Sequence, residues 1–118
     1  MKVIIAGSRD IIDYSLVCDV IKESGYEITE VVSGTARGVD RLGERWANEN
    51  NIPIEPFPAN WKPNGIFDKA AGYKRNRLMA EYADALIAIS LNNSKGTRHM
   101  IDIMNTMEKM VHVKMINE

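Results

Sequence analysis

The segment that decides the fold is residues 2–10, KVIIAGSRD, in which a short β-branched run ends in a glycine-containing turn. The same unit recurs along the chain, and each time a helical pattern of apolar residues follows the turn. The spacing predicts strands at 2–6, 30–33, 54–57, 85–90 and 111–116, and helices at 13–24, 38–50, 69–82 and 97–109.

This alternation of strands and helices indicates a parallel sheet with right-handed crossovers. The 85–90 stretch, ALIAIS, is apolar on both faces, as a central strand requires, whereas the prolines that flank 54–57 favour an edge. We therefore predict an α/β protein in which residues 1–118 form one domain with a Rossmann-like three-layer αβα fold and a five-stranded parallel sheet of order 3-2-1-4-5. In helix 69–82, we expect Leu78, Met79 and Tyr82 to face the core.

Composition excludes several classes of protein. The chain is 45% apolar and 26% charged, which is typical of globular proteins, and its net charge of −1 argues against nucleic-acid binding through bulk charge. Cys18 has no partner for a disulfide, and one cysteine with two histidines does not make a usual zinc site, so we expect neither a metal nor a cofactor. No signal peptide or membrane span is evident, so we expect a cytoplasmic protein without a membrane partner.

Four glycine-containing or basic segments should meet at one edge of the sheet. They are GSRD (7–10), SGTARGVDR (33–41), KAAGYKRNR (69–77) and SKGTR (94–98). Together they carry a net charge of +7, which leaves −8 for the rest of the chain. Ligands of open parallel sheets bind beyond the carboxyl ends of the strands, and this composition suits a phosphorylated small molecule such as a nucleotide. Neither the GxGxxG fingerprint nor a P-loop is present.

Within these segments and the loop around residue 61, glycines allow close approach, hydroxyls and amides supply hydrogen bonds, and arginines bind phosphate. The predicted ligand and phosphate contacts are Gly7, Ser8, Arg9, Ser33, Gly34, Thr35, Arg37, Gly38, Trp61, Arg75, Asn76, Ser94, Gly96 and Thr97. Arg37 either contacts the ligand or braces its turn through Asp10 or Asp40. Trp61 either stacks on a base or packs its loop onto the core. Asp40 falls on the polar face of its helix, where it complements the helix dipole.

Taken in order, GSRD, SGTARGVDR, FPANW, AGYKRNRLM, ADALIAI and SKGTRHMI resemble motifs of the YspA/cpYpsA-related branch of the SLOG superfamily. The resemblance extends over nearly the whole chain. It implies a Rossmann-like fold that binds a nucleotide or a nucleotide-derived, ADP-ribose-like ligand, as a sensor or a sequestering module.

Two further resemblances keep other functions open. The chain is similar to the lonely-guy phosphoribohydrolases, with Arg75 in the place of their arginine and Gly96–Thr97 in the place of their GT pair, although Met100 replaces their glutamate. This implies an alternative function, cleavage of the N-glycosidic bond of a nucleoside monophosphate, with Asp40, Arg75 and Glu81 as candidate catalytic residues. GSR, SGxARGxD and RNR also occur in the DprA/Smf family, which implies single-stranded DNA binding as a third hypothesis.

Self-association is a further expectation. Met100, Met104 and Met107 form one helical face, which is most simply core but, like Trp46, could serve an interface. Because relatives commonly dimerise, we expect a homo-oligomer, a dimer, whose partner is a nucleotide-type small molecule rather than nucleic acid.

Overall fold

The computed structural model describes residues 1–117, which form alternating strands and helices. Each predicted element is present, with ends within three residues of the predicted ones, and the strand at 30–33 has the predicted bounds. In chain order the elements are β1 (Lys2–Gly7), α1 (Tyr14–Ser24), β2 (Glu30–Ser33), α2 (Val39–Glu49), β3 (Ile54–Pro56), a 3₁₀ turn (Pro63–Gly65), α3 (Ala71–Tyr82), β4 (Ala85–Leu91), α4 (Lys95–Thr106) and β5 (Met110–Ile116).

All neighbouring strands run parallel, in the order β3-β2-β1-β4-β5, which confirms the predicted topology. β1 and β4 pair at the centre, from Val3 opposite Ala85 to Gly7 opposite Ile89. The chain adds β2 and β3 on one side of β1, and β4 and β5 on the other. The strand order therefore reverses between β1 and β4. A ligand site is expected at this topological switch point.

Two apolar clusters make the protein a three-layer structure. Alternate residues of β1 point to opposite faces, so Val3 and Ile5 pack against α1 and α2, and Ile4 packs against α3 and α4. On α4, Met100 and Met104 are almost wholly buried and Met107 is partly buried against the same cluster, so this methionine face belongs to the core. None of the helices in residues 1–117 is long and apolar enough to cross a bilayer.

The predicted inward orientation of Leu78 is wrong. Its side chain is 56% exposed, whereas Met79 is buried and Tyr82 packs at the margin of the core. The buried stripe of this segment continues through Ala80 and Ala83. Leu78 lies one position away from that stripe, about 100° around the helix, so its side chain points to solvent.

The start of α1 is capped by a side chain, whereas the starts of α2 and α4 are not. The Asp13 carboxylate accepts a hydrogen bond from Leu16 N at 3.2 Å and caps α1, which ends at Gly25 with a left-handed φ of 69°. By contrast, α2 begins after Gly38 and α4 after Ser94 without a hydrogen bond from a capping side chain. The N–H groups of their first turns are therefore not occupied by such caps.

The central position of β4 generates a stability prediction. Ile87→Ala should lower the free energy of unfolding by about 2–5 kcal/mol, because it removes a fully buried side chain and leaves a cavity. The matched control is Ile12→Ala, which truncates a side chain that is 87% exposed and should change stability by less than about 0.5 kcal/mol. Urea unfolding of both variants measures the difference. Equal losses would contradict the assigned core.

Candidate functional site

A hollow of about 460 Å³ opens at the carboxyl edge of the sheet, between the ends of β1 and β4. We call it the first hollow. It lies at the topological switch point between β1 and β4, where the strand order reverses, as expected for a ligand site of an open parallel sheet. The predicted ligand residues that line it are Gly7, Ser8, Arg9, Gly34, Arg37, Arg75, Asn76, Ser94, Gly96 and Thr97. The sequence segments that concentrate positive charge therefore contribute three arginines to one space.

A second hollow of about 440 Å³ adjoins the first. Thr35 and Trp61 are predicted ligand residues that line only this second hollow. The residues that line both hollows are Arg9, Gly34, Ala36, Arg37 and Arg75. Trp61 is 39% exposed, and its ring stacks with that of Phe67 at a centroid separation of 6.1 Å.

Three predicted site residues lie outside both hollows. Ser33 is buried, and its hydroxyl donates to Glu44 Oε2 at 2.6 Å. It therefore links the turn after β2 to α2 and does not face either hollow. Gly38 packs against the backbone of Ser8, where a Cβ would lie 2.4 Å from the carbonyl oxygen. Glu81 is exposed near the last turn of α3, which ends at the opposite edge of the sheet, where β4 begins.

Arg75 links the wall of the hollow to the turn after β2. Its Nη1 donates to the carbonyl oxygen of Gly34, and its Nε donates to Asn76 Oδ1 at 3.1 Å. Burial lowers the pKa of Arg75, the Asp40 carboxylate raises it, and the positive charge of Arg9 lowers it. The guanidinium is thus half-buried beside both a carboxylate and a second arginine.

Gly34 is the position where Asp40 and Arg75 converge. A Cβ on residue 34 would lie 2.7 Å from Asp40 Oδ2 and 2.8 Å from Arg75 Nη1, closer than side-chain atoms tolerate. Any larger residue would displace one of the two charged groups. Glycine is therefore required here by close approach, as the sequence predicts, but the groups that approach are side chains of this protein.

Asp40 is buried, although its position on α2 suggested a solvent-facing side chain. Its Oδ2 accepts a hydrogen bond from Ala36 N at 3.2 Å. The pKa of Asp40 is raised to about 6, mainly by burial and also by the charge of Glu44, against the lowering effects of the Ala36 amide and Arg75. A carboxyl group with this pKa in a hollow can give or take a proton near neutral pH.

Hydroxyl groups connect the ends of β1 and α4. Ser8 Oγ accepts from Leu91 N at 2.7 Å and donates to Ser94 Oγ at 3.2 Å, and Ser94 Oγ donates to Thr97 Oγ1 at 2.7 Å. Ser94 thus uses its hydroxyl within this network rather than as a cap. The first turn of α4 lines the hollow at Gly96 and Thr97, and its positive dipole end favours an anion there.

The sequence left open whether Arg37 contacts the ligand or braces its turn, and its position is compatible with both. It lines the two hollows, and its Nη2 lies 3.4 Å from Asp10 Oδ1. Both side chains are about three-quarters exposed, so this ion pair contributes little to stability. The Arg37 guanidinium remains available to a ligand, because a weak surface pair is readily exchanged for a phosphate contact.

Sequence reasoning missed several lining residues, including Asp10, Asn92 and Met100. Asn92 and Asn93 both have a positive φ, 52° and 55°, and turn the chain from β4 into α4. Two asparagines directly after a central strand are a usable signal for such a turn. Asn76 Nδ2 also contacts His99 Nδ1 at 3.2 Å, a pairing across two helices that no local pattern reveals. No three His, Cys, Asp or Glu side chains cluster as a metal site would need anywhere in residues 1–117.

The raised pKa of Asp40 predicts how stability depends on pH. Between pH 3.8 and about 6, the folded state keeps a proton on Asp40 that the unfolded state has released, so this group makes the protein less stable as pH rises. Asp40→Asn removes that titration. From pH 4 to pH 7, its stability relative to the unmodified protein should rise by up to about 3 kcal/mol. Urea unfolding across this range measures the difference, and a constant difference would contradict the buried carboxyl.

Three comparisons relate the chain to known proteins. A model described as "YspA, cpYpsA-related SLOG family" matches residues 1–63. The Gene 61 protein of Mycobacterium phage D29 is 36% identical over 108 residues, and the match covers 83% of this chain and 83% of that protein. The crystal structure of DNA processing protein A (DprA) from Streptococcus pneumoniae is similar in fold, with a TM-score of 0.60 and 17% identity; the match covers 95% of this chain but only 58% of that one. The chain belongs to the YspA, cpYpsA-related SLOG family.

Proposed function

We propose that this protein binds a nucleotide or a nucleotide-derived phosphorylated small molecule, such as ADP-ribose, at the carboxyl edge of its sheet, as a sensor or a sequestering module. The observation that carries the proposal is that Arg9, Arg37 and Arg75 all line the first hollow. They share it with the uncapped start of α4. Guanidinium groups together with helix N–H groups form a typical phosphate site.

The arginines are incompletely neutralised by the protein itself. Arg37 pairs only at the surface, and neither Arg9 nor Arg75 belongs to any of the four ion pairs found in residues 1–117. Burial is the main cause that lowers the pKa of Arg75; Asp40 raises this pKa, and the positive charge of Arg9 lowers it further. A phosphate near both arginines would neutralise their charges, which favours binding of an anion here.

The remaining lining suits the sugar of a nucleotide. Thr97 offers a hydroxyl, and Asp40 offers a carboxyl that can accept from a ribose hydroxyl. A volume of about 460 Å³ is within the range of small-molecule sites. Inorganic phosphate alone would leave most of the polar lining of the hollow without a partner. This favours a larger ligand.

Calorimetric titration with inorganic phosphate, AMP and ADP-ribose tests the proposal. We expect binding of the nucleotides, and at least a tenfold loss of affinity in Arg9→Ala and in Arg75→Ala, because hydrogen bonds to charged groups contribute about 1.5–3 kcal/mol. Arg45→Ala is the matched control, since Arg45 pairs with Glu49 on α2 outside both hollows and should leave affinity unchanged. Absence of binding by any nucleotide, or equal affinity in all three variants, would refute the proposal.

Asp40 supports a second candidate function, hydrolysis of the N-glycosidic bond of a nucleoside monophosphate. Its carboxyl lines the same hollow, and burial raises its pKa to about 6, where it can activate a water molecule or stabilise a ribosyl cation. Arg75 would hold the phosphate. Glu81 has no part in this candidate, because it lies at the opposite end of α3.

Incubation with nucleoside monophosphates separates the two functions. If the protein is a hydrolase, chromatography detects free base, and Asp40→Asn abolishes its release while calorimetric binding of AMP persists. If it is a binding module, no base appears with the unmodified protein. Met100→Glu, which restores the glutamate of the phosphoribohydrolase pattern, then serves as the complementary variant: base release only in Met100→Glu identifies a binding site that has lost its catalytic acid.

A further inference from the structure

We propose that the second hollow holds a nucleobase against Trp61, and that the ligand consists of two units: this base and a sugar-bearing unit in the first hollow, joined through phosphates on Arg9, Arg37 and Arg75. The inference rests on the proposed nucleotide binding and narrows it to a class of ligand. It also assigns Trp61 as the residue on which the base stacks.

The two hollows adjoin and share part of their lining, and we call the pair the groove. Arg9, Arg37 and Arg75 line both of them, so the positive charge lies in the middle of the groove rather than at one end. Each half has a volume of about 450 Å³, within the range of a small-molecule site by itself. A mononucleotide would therefore leave one half empty, whereas a molecule with phosphates at its centre fills both.

The two halves differ in chemistry. The first hollow carries the carboxyl groups of Asp10 and Asp40 and several hydroxyls, which are groups of the kind that bind a sugar. The second hollow adds Thr35, Pro58, Ala59 and Trp61 to the shared residues, and none of its lining residues is acidic. A planar base next to phosphate suits this surface, because its face packs on an aromatic ring and no carboxylate repels the phosphate.

Trp61 is held in position before any ligand arrives. Its carbonyl oxygen accepts from Asp68 N at 2.7 Å, and the Asp68 carboxylate in turn accepts from Ala70 N at 2.9 Å and from Lys74 Nζ at 2.6 Å. The Phe67 ring lies nearly parallel to the indole, at an interplanar angle of 11°. These contacts fix the loop to the start of α3, which reduces the entropy that binding must overcome.

Trp61 and Arg75 approach the same glycine of α3. A Cβ on Gly72 would lie 3.3 Å from Trp61 Cη2 and 3.8 Å from Arg75 Nη2. The indole and the guanidinium are therefore neighbours across a residue that has no side chain to separate them. A base on Trp61 and a phosphate on Arg75 thus lie within the span of one nucleotide.

Calorimetry with four ligands tests the inference: ribose 5-phosphate, AMP, ADP-ribose and a ten-nucleotide single DNA strand. We expect ADP-ribose to bind at least tenfold more tightly than AMP or ribose 5-phosphate. Trp61→Ala should weaken AMP and ADP-ribose about 5- to 100-fold, as loss of base stacking does, but leave ribose 5-phosphate within twofold. Trp61→Phe, which keeps an aromatic face, should retain most of the affinity.

Fluorescence gives an independent readout. The chain has two tryptophans, so Trp46→Phe leaves Trp61 as the single tryptophan, whose emission is excited selectively over that of tyrosine. Trp46 packs against the core outside both hollows. AMP and ADP-ribose should quench this emission, and ribose 5-phosphate should not.

The outcomes distinguish this inference from the function on which it rests. Unchanged nucleotide affinity in Trp61→Ala overturns the base site but leaves nucleotide binding intact. No binding of any nucleotide to the unmodified protein refutes both. A DNA strand that binds more tightly than ADP-ribose, with a steep dependence on salt and on Trp61, assigns the groove to nucleic acid and overturns the small-molecule ligand.

Discussion

The parallel pairing of β1 with β4 is the constraint on which the rest of the structure depends. These strands are buried on both faces and joined in register from Val3 opposite Ala85 to Gly7 opposite Ile89. Beyond this pair, the chain turns from β1 towards α1 on one face and from β4 towards α4 on the other. The two turns therefore diverge, and the hollow between them follows from the topology, before any side chain is considered.

Two charged groups at this hollow have lost part of their hydration. Asp40 is buried and Arg75 is half-buried, and both lie so close to Gly34 that the turn after β2 tolerates little change. Burial of a carboxyl group that ionises near pH 6 lowers the stability of the free protein at neutral pH. Such an arrangement is typical of a binding site, where a ligand restores the missing interactions and recovers the lost stability.

The sequence predicted the architecture well because it rests on local patterns. β2 has its predicted bounds, since a β-branched pair before a glycine is a signal contained in a few residues. Positions decided by distant contacts were less predictable. Burial of Asp40 depends on how α2 packs near Arg75, and the role of Ser33 depends on Glu44, which approaches it from α2. Leu78 shows the same limit, because in α3 a shift of one residue separates the core from solvent.

The position of acidic groups around the hollow bears on whether the protein binds or cleaves its ligand. In the phosphoribohydrolase pattern a glutamate belongs to the last helix, but here Met100 occupies that place, is almost wholly buried and lines the hollow. The buried carboxyl comes instead from Asp40 on α2, which packs on the opposite face of the sheet from α4. Under the proposed function, the sugar of a ligand in the first hollow would meet a methionine where the hydrolases place their acid. A ribosyl cation would then lack a carboxylate on that side, and this is the argument for proposing a binding module ahead of a hydrolase.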